Sequence, residues 1–343
     1  MDFSNTLIKW YLQHKRDLPW RDTQNPYPIW LSEIMLQQTR VAQGLPYFLN
    51  FMNAFPTVFD LANANEEQVL KLWQGLGYYS RARNLHKTAQ IVAYELGGIF
   101  PDNYQDLLKL KGIGDYTAAA IASFAFNEAV PVVDGNVFRV LSRYFDVEND
   151  ISISSTKKVF VNLALEIMPK NNPAQFNQAI MEFGALQCVP KSPNCSICPF
   201  NNSCTALQKN KINLLPIKTK KVKVTNRFLN YIIYEDQNQQ TLIQQRTEKG
   251  IWQNLYEFPL IETKNTVDID FITANIVSEN KILSVTQINQ NEIIHKLTHQ
   301  KLHINFWKIE LENDLKNGIL ITDVKDYPLP IVIANFIESE INI

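Results

Sequence analysis

The chain has 343 residues, of which 45% are hydrophobic, and its formal net charge is −1. This length allows two or three domains with packed cores. No apolar run reaches the roughly 18 to 20 residues of a membrane span, and the N-terminus lacks the basic start of a secretory signal. We therefore expect an intracellular, cytoplasmic protein without a membrane segment.

Residues 1–213 are predicted to be mainly helical, because apolar residues recur three or four positions apart at 3–11, 69–73 and 159–167. Glu33 would lie on a largely apolar helix face, since Ile29, Trp30 and Leu36 are three or four residues away. Burial on that face would raise the pKa of Glu33, as a general acid at neutral pH requires. An exposed helical glutamate is the alternative.

A helical hairpin is predicted at residues 110–117, after a helix that ends with Leu107, Leu108 and Leu110. Gly112 and Gly114 can adopt positive φ and leave room for a ligand, and Asp115 can cap a helix that starts at Tyr116. Backbone amides in such a turn can hold a phosphate without a lysine. An ordinary helix connection that contains glycine is the alternative.

Asp134 follows an extended segment after Pro131 and precedes a helix predicted to begin near Val137. From the residues alone, the favoured role of Asp134 is a helix N-cap. A carboxylate at a cap position is nevertheless compatible with a catalytic role.

The chain has four cysteines, and all of them fall within seventeen residues, at Cys188, Cys195, Cys198 and Cys204. Converging thiolates hold either an iron-sulfur cluster or a structural zinc. Zinc ribbons usually pair two short knuckles, whereas here one Cys-x-x-Cys lies between two wider gaps. This spacing favours a [4Fe-4S] cluster in one loop at 188–204, with zinc and disulfides as alternatives.

A basic stretch at 214–227 separates two larger blocks of sequence. It contains Lys218, Lys220, Lys221, Lys223 and Arg227 and no acidic residue, whereas residues 228–343 are acidic overall. The stretch is interpreted either as a solvated linker or as a connector that contacts phosphates. In both cases it marks a boundary between a domain at 1–213 and a domain at 228–343.

The last block is predicted to be an α+β domain. Residues 228–234, 241–245 and 303–309 are rich in β-branched and aromatic residues, several of them alternating with polar ones. HKLTH at 295–299 lacks the glutamate of a zinc protease motif, so no metal site is predicted there.

Five motifs in the first block, taken together with the cysteine spacing, resemble the endonuclease III and MutY family of DNA glycosylases. They are LPWR (18–21), SEIMLQQT (32–39), GLGYYSRARNL (75–85), LKGIGDYTAAA (110–120) and VDGNVFRV (133–140). Within this family, the glutamate in SEIMLQQT and the tyrosine in GDYTA indicate the adenine glycosylase branch. The resemblance implies a mainly α helix-hairpin-helix glycosylase domain with a [4Fe-4S] loop, followed by a C-terminal α+β Nudix-like domain.

The resemblance also implies an activity: base-excision repair of double-stranded DNA that carries adenine opposite 8-oxoguanine or guanine. Glu33 would protonate the adenine, and Asp134 would stabilise the oxocarbenium ion of the sugar. Tyr116 and Asn136 would position the sugar and Asp134. Bifunctional relatives have a lysine in place of Tyr116, so we expect a monofunctional enzyme, acting as a monomer, that leaves an abasic site.

Further residues are assigned to DNA by the resemblance alone. The adenine pocket would be lined by Trp20, Arg21 and Leu36, while Gln38 and Tyr78 would enter the duplex around the flipped base. Gly112 and Gly114 would face a phosphate. Gln178 occupies a position where relatives have Glu or Gln.

The C-terminal block resembles the Nudix-like domain with which MutY proteins recognise 8-oxoguanine. The markers are Gln245 to Pro259 and His295 to Leu302, and Leu297, Thr298 and His299 stand where Phe-Ser-His is common. The acidic metal-binding helix of active Nudix enzymes is not visible, so we infer no pyrophosphatase activity.

Two other functions stay open at this point. One is a glycosylase or lyase for thymine mismatches or oxidised pyrimidines, and the other is a noncatalytic iron-sulfur protein that binds DNA. Glu33 and Tyr116 favour adenine excision over both.

Overall fold

The computed structural model describes residues 2–220, 223–276, 278 and 280–341. Lys221 of the basic stretch 214–227 lies outside the described residues, as does its neighbour Val222. Within the described residues, the first of two compact units comprises 2–63 and 87–220, and the second comprises 64–86 and 223–341.

The helices and strands follow one another in a helical first part and a mixed second part. The α-helices are α1 (Phe3–His14), α2 (Pro26–Met35), α3 (Val41–Ala54), α4 (Val58–Asn63), α5 (Glu66–Leu72), α6 (Ser80–Gln90), α7 (Tyr104–Leu107), α8 (Asp115–Phe126), α9 (Gly135–Phe145), α10 (Thr156–Ile167), α11 (Pro173–Leu186), α12 (Thr205–Gln208), α13 (Ile269–Asn275) and α14 (Ile331–Glu340). The strands are β1 (Thr225–Glu235), β2 (Gln240–Thr241), β3 (Gln244–Gln245), β4 (Tyr256–Glu257), β5 (Leu260–Thr263), β6 (Ile282–Gln287), β7 (Ile293–Lys296), β8 (Gln300–Leu311) and β9 (Ile319–Leu320). A π-helical turn, Ile91–Glu95, continues α6, and a 3-10 helix spans Ile321–Asp326.

In the first unit, α1, α9, α10 and α11 share an apolar core. Phe3, Leu7 and Phe160 are among its buried side chains, and Phe3 stacks on Phe200 with a centroid separation of 4.9 Å. Helix α2 packs against α8. The prediction of a helical first block is confirmed. No helix within the described ranges is long and apolar enough to cross a membrane.

Local sequence signals explain where the helices of the site begin. Helix α2 starts at Pro26, and the Asn25 side chain accepts a 3.0 Å hydrogen bond from the Tyr27 amide. Helix α9 starts at Gly135, and Asp134 caps it by accepting from the Val137 amide at 2.8 Å. The predicted cap at Asp134 is therefore confirmed, although the helix begins two residues earlier than Val137.

The second unit is built on a sheet in the order β5-β1-β8-β6, with β7 also pairing with β8. Strands β1 and β8 run parallel, and β5, β6 and β7 are antiparallel to their partners. On one face, Ile232 and Trp307 share a core with Ile272 of α13. On the other face, Phe306 stacks on Phe336 of α14 at 3.6 Å between ring centroids. The predicted α+β domain is confirmed.

The segment 64–86 packs within this second unit through polar contacts. Tyr256 donates its phenolic hydrogen to Glu67 Oε1 at 2.6 Å, and Arg83 Nη1 donates to the Gln253 carbonyl at 2.7 Å. Helix α5 is itself held by a capping box, in which Asn65 and Gln68 bond to each other's backbone amides. The loop that carries Tyr78 is therefore part of the same compact unit as the sheet.

Candidate active site

One pocket of the first unit contains all four residues that the sequence predicts for catalysis. Glu33, Asp134, Tyr116 and Asn136 line this cavity of about 600 Å³. A cavity of this size can enclose a nucleobase and part of its sugar. The pocket is therefore the candidate active site.

Glu33 is buried, with 6% of its surface exposed. Burial raises the pKa of its carboxyl group to about 7; the charge of Asp134 also raises it, while the Tyr116 hydrogen bond and Arg21 lower it. Tyr116 donates its phenolic hydrogen to Glu33 Oε2 at 2.8 Å. The predicted burial of Glu33 and its raised pKa are confirmed.

Asp134 is held by two donors at the start of α9. Its Oδ1 accepts from the Val137 amide and its Oδ2 from Asn136 Nδ2, both at 2.8 Å. Burial raises the pKa of Asp134 above its usual value, and these two hydrogen bonds oppose part of that rise. The two donors fix the orientation of a carboxylate that lines the pocket.

The residues predicted for the base pocket line the same cavity. They are Trp20, Arg21, Leu36 and Gln178. Trp20 packs edge-on against Phe48 at 4.9 Å, which fixes the indole plane. The Gln178 side-chain oxygen accepts a 2.6 Å hydrogen bond from the Tyr11 phenol, which fixes the orientation of its amide group.

The sequence did not reveal the role of Glu182, which also lines the pocket. Its carboxylate binds the guanidinium groups of both Arg16 and Arg21, with Nη2-to-Oε2 distances of 2.6 Å in each case. Burial raises the pKa of Glu182, but the hydrogen bonds from Arg16 and Arg21 outweigh it and lower the pKa to about 2. The sequence signal that could have indicated a buried Glu182 is its position between apolar residues in FNQAIMEFGA.

The predicted hairpin differs from expectation in two details. Gly112 has φ +77° as expected, but Gly114 has φ −95° and is itself the N-cap of α8. Asp115 is the first helical residue and makes no cap bond; it pairs with Lys157 at 2.8 Å. Gly114 therefore does not adopt the positive φ open to it, and Asp115 does not cap the helix, because the extended backbone of Gly114 already starts α8.

The corrected hairpin still leaves the N-terminus of α8 open to a ligand. A Cβ at Gly114 would meet no atom within 4 Å. The first amides of a helix have no partner within that helix and can bind an anion.

The two residues expected to enter the duplex both adopt a strained backbone. Gln38 has φ +58° and Tyr78 has φ +49°, values that side chains larger than asparagine rarely adopt. Both side chains are exposed, Tyr78 by 45%. Strain of this kind often occurs at ligand-binding residues.

A second pocket lies within the second unit and contains the residues predicted to recognise the lesion. Tyr78 lines it together with Leu297, Thr298 and His299, and its volume is about 410 Å³. The Tyr78 phenol contacts the Thr298 hydroxyl. Trp252 contributes an apolar wall and has φ +60°.

The four cysteines line one pocket between α9 and α12. Arg143 Nη1 donates to Cys188 Sγ at 3.4 Å, and burial raises the pKa of Cys198 to about 11. In the part of the chain that the structure describes, no three Cys, His, Asp or Glu side chains are close enough together to hold a single metal ion. The thiol donor set, its common pocket and the N–H donor to sulfur fit a cluster whose thiolates bind separate iron atoms.

Comparison with known proteins agrees with this geometry. Residues 31–166 match the family model of HhH-GPD superfamily base excision DNA repair proteins, and residues 230–339 match the NUDIX domain. An adenine DNA glycosylase of Buchnera aphidicola subsp. Schizaphis graminum is 36% identical over 346 residues, covering 98% of both chains. The chain belongs to the adenine DNA glycosylase family.

The human adenine DNA glycosylase is 45% identical over 216 residues, which cover 60% of this chain and 40% of the human one. Among solved structures, a thermostable thymine-DNA glycosylase superposes with a TM-score of 0.56 and 30% identity, covering 60% of this chain and 95% of that one. An endonuclease III–DNA complex, at 22% identity and a TM-score of 0.53, shares its fold with 60% of this chain. This adenine DNA glycosylase family member therefore combines an HhH-GPD region at 31–166 with a NUDIX region at 230–339.

Proposed function

We propose that the protein excises adenine from mispairs with 8-oxoguanine or guanine in double-stranded DNA and leaves an abasic site. The observation that carries the proposal is that Glu33, whose pKa burial raises to about 7, lies with the carboxylate of Asp134 in one nucleobase-sized pocket. Adenine is a poor leaving group as an anion, so protonation of its ring by Glu33 would lower the barrier most.

Asp134 is proposed to stabilise the positive sugar. The hydrogen bonds from Val137 and Asn136 orient its carboxylate and favour the ionised form, which is the form that can face an oxocarbenium ion. Asn136 thereby acts through Asp134, while Tyr116 acts through Glu33.

Tyr116 also supports a monofunctional reaction. A lysine at this position could attack the sugar as a Schiff-base nucleophile, whereas a phenol bound to Glu33 cannot. Lys109 lies nearby in sequence, but it is bound to Asp106 at 2.6 Å and is 76% exposed. The product is therefore proposed to be an intact strand with an abasic site.

The DNA is proposed to be held by the hairpin amides at Gly112 and Gly114 and opened by Gln38 and Tyr78. Extrusion of the adenine into the pocket lined by Trp20 would then place it beside Glu33. In the second unit, the pocket of Leu297, Thr298 and His299 is proposed to recognise 8-oxoguanine. We further propose that Cys188, Cys195, Cys198 and Cys204 hold a [4Fe-4S] cluster, which would order the loop between them.

The test is single-turnover incubation with duplexes that carry A opposite 8-oxoguanine, A opposite G, T opposite G, or thymine glycol opposite A. Each product is analysed with and without alkali. Cleavage of the adenine strand only after alkali, fastest opposite 8-oxoguanine, is expected. Release of thymine instead of adenine, or strand breaks without alkali, would contradict the proposal.

A further inference from the structure

The candidate active site contains one buried acid for which the proposed chemistry has no use. Glu182 is 1% exposed, and its carboxylate accepts five N–H hydrogen bonds. Three come from the backbone and side chain of Arg16, and two come from the side chain of Arg21. A buried carboxylate is stable only when it is paired to this degree.

The partners of Glu182 belong to a segment that has no regular structure. Residues 15–25 form neither helix nor strand, and this segment places Trp20 and Arg21 in the pocket wall. Arg21 Nη1 also donates to the Arg16 carbonyl at 3.1 Å, so the two arginines are tied to each other as well as to Glu182. Glu182 on the rigid helix α11 therefore anchors this wall.

The same contacts set the charge of the cluster formed by Arg16, Arg21 and Glu182. Two guanidinium groups and one carboxylate leave a net charge of +1, and the Arg21 guanidinium lowers the pKa of Glu33. The other groups that act on Glu33 are Tyr116 of α8 and Asp134 at the start of α9. Tyr11 of α1 also lies next to Arg21. The guanidinium carbon of Arg21 is 5.8 Å from the centre of the Tyr11 ring.

We propose that Glu182 is a positioning residue that fixes Arg21 and Trp20 in the base pocket and limits the positive charge that faces the catalytic acid. This inference rests on the proposed adenine excision. Glu182 does not touch the reacting atoms; it acts through the two arginines.

The first variant is Glu182→Gln, which keeps the shape of the side chain and removes its charge. We expect the single-turnover rate of adenine excision to fall by about 10-fold to 100-fold, because the wall of the pocket is no longer held in place. Binding to the mispaired duplex should stay within about threefold of wild type, since phosphate contacts lie elsewhere.

The pH–rate profile of Glu182→Gln distinguishes two causes of a lower rate. One is a lost positioning residue together with a changed pocket charge, and the other is a less stable protein. Removing one negative charge makes the pocket more positive, which favours ionised Glu33 and lowers its pKa. The alkaline limb of the pH–rate profile should therefore move to lower pH by about half a unit. A variant that is only less stable would lose rate without moving the limb.

The matched control is the double variant Arg16→Gln with Glu182→Gln, which restores the net charge of +1. Its alkaline limb should return to the wild-type position while its rate stays low, because Arg21 has still lost its anchor. If Glu182→Gln does not fold, Glu182→Asp keeps the charge and is expected to lower the rate with an unmoved limb.

A folded Glu182→Gln variant with wild-type rate and an unmoved limb would overturn the inference. Adenine release by the wild-type protein tests the proposed function separately. If wild type releases no adenine, the proposed function itself fails; if wild type is active and the variant is unaltered, only the role of Glu182 fails.

Discussion

The Tyr116 phenol donates a 2.8 Å hydrogen bond to Oε2 of Glu33, which joins the first turn of α8 to the buried face of α2. The bond stabilises the ionised form of Glu33, while burial and the charge of Asp134 favour the neutral form. Because burial dominates, the pKa of Glu33 is about 7, and a substantial fraction carries a proton at neutral pH.

Replacing Glu33 by Gln should abolish the proton donor without changing the shape of the pocket. We expect the single-turnover rate of adenine release to fall by about 10²-fold to 10⁴-fold, the range typical of a lost general acid. Binding to the mispaired duplex, measured by fluorescence anisotropy, should be retained. Glu166→Gln, at an exposed position of α10, is the control. Full activity in Glu33→Gln would rule out Glu33 as the acid.

The excision rate should depend on pH through Glu33. The protonated form is the active one, so the rate should fall as pH rises through about 7. Tyr116→Phe removes a donor to the carboxylate, which raises the pKa of Glu33 and moves the alkaline limb to higher pH. The profile is measured from pH 5.5 to 9, with Tyr104→Phe as control. A limb that moves to lower pH in Tyr116→Phe would contradict the assigned hydrogen bond.

The buried carboxyl of Glu33 should also make stability depend on pH. Its pKa is raised in the folded state, so its favourable contribution is complete below pH 4.5 and is lost as pH rises through about 7. Glu33→Gln cannot ionise. Its stability relative to wild type should therefore increase by about 2 kcal/mol between pH 5.5 and pH 8.

Thermal unfolding at the two pH values measures this difference, which should amount to a few degrees. Comparing one variant at two pH values cancels any fixed effect of the amide itself. Glu166→Gln, at an exposed position of α10, is measured in parallel as the control. A stability difference for Glu33→Gln that is equal at both pH values would mean that Glu33 ionises normally in the folded protein.

The sequence was sufficient to predict the burial of Glu33, because the apolar spacing of its neighbours decides which helix face is covered. It could not predict the bond to Tyr116, which is 83 residues away and depends on how α2 packs against α8. Similarly, Asp134 was identified as a cap from local sequence, since a cap bond spans only three residues.

Glu182 was missed for the opposite reason. An amphipathic helix with one glutamate normally turns it to solvent, and only the partners Arg16 and Arg21, more than 160 residues earlier, make burial possible. The sequence also could not predict the φ of Gly114, because glycine can adopt a positive φ but does not require one. The sequence therefore could not predict which allowed φ a glycine adopts, nor which distant residues pair with a buried charge.

The cysteine loop provides a prediction about metal content. If the four thiolates hold a [4Fe-4S] cluster, the purified protein should contain four iron and four sulfide per chain together with the visible absorption of such a cluster. Zinc at one per chain, without sulfide, would contradict the proposal and favour a structural zinc site.

Cys198→Ser tests whether the cluster orders its loop. Cys198 is the second cysteine of the short Cys-x-x-Cys and packs against the core of the first unit, so its loss should release most of the iron and lower the stability of that unit. Ser196→Ala is the matched control, because Ser196 is exposed in the same loop and its hydroxyl donates to the exposed Asn194 side chain. Iron content and thermal unfolding should change in Cys198→Ser and stay at wild-type values in Ser196→Ala. Unchanged iron in Cys198→Ser would exclude this thiolate as a ligand, because a cluster that retains all of its iron does not depend on it.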